Sequence, residues 1–289
     1  MHKFLRAIGF SKIESRYQLE DIYKDILSSP NRKVASTINT GSTLVQFDKD
    51  FGNGIGISLI GEMDKSGSLS IEHFFPYIRP KVYTNTDTID LEEHTYNKSY
   101  IGTIGDLFIA VMFYVQNIAE CDRLLKYHNR SLTTVMLSAL STNGTIILPI
   151  EKYPEVEEKE KAVQAKKNKL MKNALEGDID AINSITKMDI NLYNETLTRI
   201  EEQSLDVLTV VDTTFLPTGV ESDLYSIIGI IKEVYTRFNI VTNEQLYDIT
   251  VESLGYTFNI CINAEDLVGE PLPGRRFRGD IWLQGYVVI

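Results

Sequence analysis

The chain has 289 residues and a formal net charge of -11, from 29 Lys+Arg against 40 Asp+Glu. That length can bury one large core or two modest ones, and 43% hydrophobic with 24% charged residues is a globular composition, neither disordered nor fibrous. The acidity argues against a surface built throughout to bind nucleic acid or anionic lipid, and two cysteines exclude a disulfide scaffold and an all-thiolate zinc cluster.

Met1 to Phe10 carries Lys3 and Arg6 without a continuous apolar stretch, so no signal peptide is expected. Leu19, Ile22, Tyr23, Ile26 and Leu27 then recur at helical spacing, and Ser15 with Gln18 three residues on reads as a capping box. From Arg32 to Asp90 the pattern shortens to strands separated by Gly-, Asn- and Asp-rich turns. Leu107 to Val115 reads as a central buried strand, and Asn117 opens a short helix with Ile118, Cys121, Leu124 and Leu125 inward. Leu132 to Ile150 is uncharged but too rich in Thr, Ser and Asn to span a bilayer, and its Asn143-Gly144 pair predicts a hairpin turn. No membrane contact is expected, and the protein is placed in a reducing cytoplasm.

Pro154 to Gly177 predicts an exposed helix with Glu155, Glu157 and Glu158 in its first turn. Its apolar stripe is thin, with Val156, Val163 and Leu170 at seven-residue spacing, which suits a contact with a protein partner. Two further helices complete a module over 151–203. After Leu205 the pattern returns to strands at Asp206–Leu216, Leu224–Phe238, Gln245–Glu252, Tyr256–Ile262 and Phe277–Val288, with a helical turn at 263–267. A Greek-key barrel of the OB type also places a helix between late strands, an analogy at the level of fold. The expected class is α+β: a mixed domain over 1–150, the helical module, and a barrel-like, OB-like domain over 204–289.

Charge is unevenly spread. Residues 1–150 hold 15 basic and 16 acidic side chains, 151–202 hold 9 and 12, and 203–289 hold 5 and 12. Three of those last five basic residues, Arg275, Arg276 and Arg278, surround Phe277, with Trp282 nearby. Such a set could grip a phosphate or stack a base, although arginines on the outer face of an acidic barrel serve equally as partners for its carboxylates. Elsewhere the chemistry is thin. Gly52 to Gly56 leads into a strand and lacks the helix a phosphate loop needs, so it reads as a turn. Asp48-Lys49-Asp50 fails as a calcium loop at three positions. His73 shares its strand face with Ile71 and Phe75 and reads as a core or rim residue. Cys121 reads as an inert core thiol and Cys261 as facing away from the apolar side of its strand, toward solvent. No catalytic residue, metal ligand or cofactor is expected.

The opening MHKFLRAIGF and the closing Cys261-Ile262-Asn263, Asp266-Leu267, Gly269-Glu270-Pro271, Gly274-Arg275-Arg276-Phe277 and Ile281 to Gly285 are the most distinctive stretches. On these residues the chain resembles an uncharacterised family of cytoplasmic proteins from Clostridia-type bacteria. The resemblance implies no activity, so no functional role carries over. Three functions stay open: a non-catalytic binding or scaffolding protein, binding of single-stranded nucleic acid or a nucleotide by the C-terminal domain, and an enzyme whose site gathers distant residues. Net charge weighs against nucleic acid, while the arginine cluster keeps an anion site open.

Overall fold

Ser15 caps the first helix as its spacing with Gln18 requires: its hydroxyl accepts from the Gln18 N–H and the Gln18 side chain accepts from the Ser15 N–H. A computed structural model describes residues 2–37, 42–86, 88–94, 99–105, 110–127, 132–150, 166, 170, 173, 178–181, 184, 187–188, 211–219 and 222–289. A short 3-10 helix (Lys3–Ile8) precedes α1 (Arg16–Ser28). Four strands follow, β1 (Arg32–Thr37), β2 (Thr43–Asp50), β3 (Ile55–Met63) and β4 (Leu69–Ile78), paired antiparallel in that order. Next come β5 (Tyr83–Asn85), β6 (Ile89–His94), β7 (Ser99–Gly105), β8 (Ala110–Val115), α2 (Ile118–Tyr127) and β9 (Thr134–Ile147). The C-terminal strands are β10 (Thr214–Pro217), β11 (Leu224–Phe238), β12 (Gln245–Ser253), β13 (Tyr256–Asn263), β14 (Leu267–Val268) and β15 (Arg276–Val287).

The fold is α+β with few helices, and its centre is a closed five-stranded barrel. Its staves run β11-β12-β13-β9-β15, and β15 pairs back to β11 to close the ring. All these pairings are antiparallel except β13 with β9, which is parallel. A 3-10 turn at Ala264–Asp266, capped by the Asn263 side chain, precedes the last strand. Five strands and that late helical turn are shared with the OB form. Here, however, one stave lies on the N-terminal side of residues 148–212. Residues 1–150 and 204–289, expected as two domains, therefore supply one compact unit made of Met1–Gly105, Ile109–Ile147 and Thr213–Ile289. Asp106–Phe108 and Leu148–Asp212 form a second unit, most of which lies outside the described residues.

The expected hairpin at Asn143-Gly144 does not form: β9 runs straight through it. Asn143 instead holds a bulged register against β15, its side-chain oxygen accepting from the Asp280 N–H at 3.0 Å. Gly144 is needed for space, since a Cβ there would stand 2.6 Å from the Phe277 ring. Local turn preference yields to the packing of an aromatic ring inside the barrel. The expected strand at Asp206–Leu216 is shorter, confined to β10 among the described residues.

Candidate functional site

One face of the barrel carries a row of polar side chains, and its geometry follows from strand register. Asn259 on β13, Ser138 on β9 and Gln284 on β15 stand side by side across adjacent strands, so all three point to the same face. Opposite them runs β4, the edge of the four-stranded sheet, whose outer carbonyls have no neighbouring strand. The barrel side chains take that place. Gln284 Nε2 donates to the Pro76 carbonyl at 2.9 Å, Ser138 Oγ to Ile78 at 3.0 Å, and Asn259 Nδ2 to Arg79 at 3.3 Å. Gln116, just beyond β8, also donates to the Ile78 carbonyl at 3.1 Å and to Gln284 Oε1 at 2.8 Å. Edge carbonyls that would otherwise be buried without partners are satisfied by side-chain amides, and the two layers are fixed relative to each other.

A cavity of about 210 Å³ opens at the margin of this layer. Arg32, Asp48, Ser58 and Tyr77 line it from the four-stranded sheet, Arg79 and Pro80 from the exit of β4, and Gln116, Met136 and Tyr286 from the barrel side. Arg32 and Asp48 are register partners on β1 and β2, and their side chains pair at 3.0 Å. Arg32 also pairs with Glu120 on α2, whose other oxygen accepts from the Tyr286 hydroxyl at 2.9 Å. The remaining oxygen of Asp48 accepts from Ser58 at 2.5 Å and from Gln46 at 2.9 Å. Burial pushes the Glu120 carboxyl up, but hydrogen bonds from Arg32, Asn117 and Tyr286 outweigh it and hold the group below its usual value. Tyr286 is pushed up to about 12, first by burial and then by its bond to Glu120. Burial likewise raises Tyr77, so both phenols stay neutral hydrogen-bonding groups near pH 7.

Arg79 differs from Arg32. Its backbone is pinned, the N–H donating to the Gly54 carbonyl at 2.7 Å while the carbonyl accepts from Asn259. Its stem lies over Gly54, whose φ of +91° and missing Cβ leave that path open. The side chain is exposed and has no carboxylate partner among the described residues. The polar groups of the wall are therefore held in place, apart from one cation that no described carboxylate neutralises.

The arginine-rich strand is arranged otherwise. Phe277 is fully buried inside the barrel, where Gly144 and Gly279 leave room for its ring. Trp282 is buried too, stacked on Phe4 at 5.3 Å with its indole N–H donating to Asp223 at 2.7 Å. Arg276 is buried, Arg275 pairs with Glu270, and of the three only Arg278 is exposed. At a rise near 3.3 Å per residue, Arg278 and Trp282 lie about 13 Å apart along the strand. Phe277 and Trp282 are thus packing residues with no free face on which a base could stack. Val156 and Val163 lie outside the described residues, and Leu170 is helical and half-buried.

Both cysteines are free thiols and buried, with their pKa values raised by burial. Cys261 does not reach solvent as expected. The 3-10 helix covers that face of β13, and the thiol donates to the Ala7 carbonyl at 3.1 Å. His73 stacks beside Phe75 and shares a hydrogen bond of 2.9 Å with the buried Tyr114 hydroxyl, as a rim histidine should. Among the described residues no group of three His, Cys, Asp or Glu side chains could hold a metal ion, and no helix is long and apolar enough to cross a membrane.

A closed five-stranded barrel clamped to a four-stranded sheet, with a small cavity at the junction, defines the class as an α+β barrel protein. The chain belongs to the family described as a domain of unknown function from an E. rectale gene (DUF3881), whose model matches residues 5–285. No curated protein and no solved structure matches it.

Proposed function

We propose that this is a non-catalytic binding protein whose ligand occupies the cavity between the four-stranded sheet and the barrel. The observation that carries the reading is the fixed wall: Asp48, Arg32 and Tyr286 are linked through the Arg32 guanidinium, and Gln116 is held by Ser138, Gln284 and the Ile78 carbonyl, around open space. Pre-organised polar groups beside apolar surface are what small-molecule sites require, because little ordering remains to be done on binding. A volume of about 210 Å³ is below the usual range for drug-sized ligands and equals roughly seven waters, so the ligand is small. Binding of nucleic acid through Arg275, Arg276 and Arg278 is less well supported, since Phe277 and Trp282 are already packed.

A thermal-shift screen of small fragments, charged and neutral, tests the reading on the full chain. Met136 is half-buried on the cavity wall, so Met136→Trp fills the space from the barrel side. Fragments that stabilise the parent protein should not stabilise Met136→Trp, with Met136→Phe intermediate. Fragments that act equally on the parent and both variants would place the ligand elsewhere.

A further inference from the structure

Resting on that cavity reading, we infer that the ligand is a small monocarboxylate with an apolar body, held by Arg79. Five of the lining groups settle the charge. Arg32 is saturated by Asp48, Glu120 and Tyr286, so it has little left to offer an incoming anion. Arg79 has no carboxylate partner among the described residues and lines the same space. A planar guanidinium matches a carboxylate through two parallel N–H···O bonds, which supplies orientation as well as attraction.

The opposite wall limits the charge of the guest. Arg32 and Asp48 on the lining, with Glu120 paired to Arg32 behind it, together carry a net -1, which would repel a second negative charge in a space this small. That favours a single carboxylate over a phosphate dianion. Met136 and Pro80 with the Tyr77 ring supply an apolar lining for the rest of the molecule. The sequence could not have joined these residues, since they come from β4 and its exit, β9, and the paired strands β1 and β2.

The test uses calorimetric titration of the full chain with benzoate, its neutral isostere benzamide, and inorganic phosphate. Benzoate should bind, benzamide and phosphate should bind at least about tenfold more weakly, and Arg79→Gln should cost benzoate at least about tenfold, the loss of one charge-assisted pair. Arg79→Lys should recover part of that loss, because it keeps the charge but not the fork. If benzamide equals benzoate and Met136→Trp abolishes both, the cavity reading stands and the carboxylate assignment fails. If benzoate binds Met136→Trp as well as the parent, the cavity reading itself fails. No saturable heat with benzoate at millimolar concentration overturns the assignment, while the fragment screen still judges the cavity.

Discussion

Asp48 and Asp248 are chemically alike yet end differently. Each is a buried carboxylate on a strand, held by an arginine from the adjacent strand: Arg32 on β1 for Asp48, Arg237 on β11 for Asp248. Around Asp248 the space is closed. One oxygen takes both Arg237 and the Lys81 ammonium at 2.7 Å, the other accepts from Asn259 at 3.2 Å, and Lys81 sits 4.0 Å above the Tyr235 ring. Around Asp48 the polar partners are just as complete, but a cavity opens beside them. The two basic residues flanking Pro80 account for much of the contrast, since Lys81 reaches the Asp248 carboxylate and Arg79 reaches none. A closed cluster serves stability, whereas a satisfied cluster beside space with a spare cation can serve recognition.

Removing the acids should expose that difference first. Asp248→Ala removes a fully buried carboxylate from Arg237 and Lys81, two partly buried cations, and should cost about 3–5 kcal/mol in urea unfolding. Asp48→Ala leaves Arg32 with Glu120 and should cost less, about 1–3 kcal/mol, mostly from the unsatisfied Gln46 and Ser58 donors. A larger loss for Asp48 than for Asp248 would mean that the cluster beside the cavity, not the closed one, carries more of the fold's stability.

Acid should separate the clusters next. Glu120 belongs to the Asp48 side alone, and its folded pKa lies below the usual value, so the unfolded chain takes up its proton at higher pH. Its stabilising contribution is then complete above the ordinary glutamate range near 4.3 and is lost as pH falls through the folded pKa. Stability should fall more steeply below about pH 4.5 in the parent than in Glu120→Gln. His2 titrates ahead of it: burial, with the N-terminal amino group, Lys3 and His73, lowers its pKa from 6.5 to about 4. Because the buried ring stays neutral, its contribution is complete above pH 6.5 and declines toward pH 4. Unfolding midpoints across pH 7 to 3 in His2→Asn and His2→Asn/Glu120→Gln chains separate the two windows.

Much of the fold could be read from the sequence where local chemistry governed it. The Ser15 cap and the Asn263 turn follow from side chains that bond their own neighbours, and the β12–β13 hairpin from the left-handed backbone that Gly255 allows. Asn143-Gly144 carried the strongest hairpin signal and failed, because Phe277, over 130 residues away, requires that glycine inside a continuous strand. The same distance hid the closing of the barrel. The cavity left one trace: Gln46, Asp48 and Asp50 alternate along a strand whose Leu44, Val45 and Phe47 are buried, a polar row on a largely buried element. What faces that row comes from α2, β9 and β15, and no spacing within the chain encodes such a meeting. The arginine cluster misled for the opposite reason, since proximity along β15 put Phe277 and Trp282 near arginines whose surroundings they do not share.

The smallest expected effect is the most discriminating. Arg79→Gln removes a charge that pairs with no carboxylate among the described residues, from a side chain that is largely exposed. Its stem packs over Gly54, and Gln retains most of that stem, so stability should change by no more than about 0.5 kcal/mol. Every other arginine in these two clusters behaves oppositely: Arg32 and Arg237 hold buried carboxylates, and their loss should destabilise by several times as much. Urea midpoints of Arg32→Gln, Arg237→Gln and Arg79→Gln therefore sort the three by role. If Arg79→Gln unfolds as readily as the other two, the guanidinium is structural, and the open cluster is no more a recognition site than the closed one. If it is neutral for stability while weakening benzoate, the charge is retained for a guest and not for the fold.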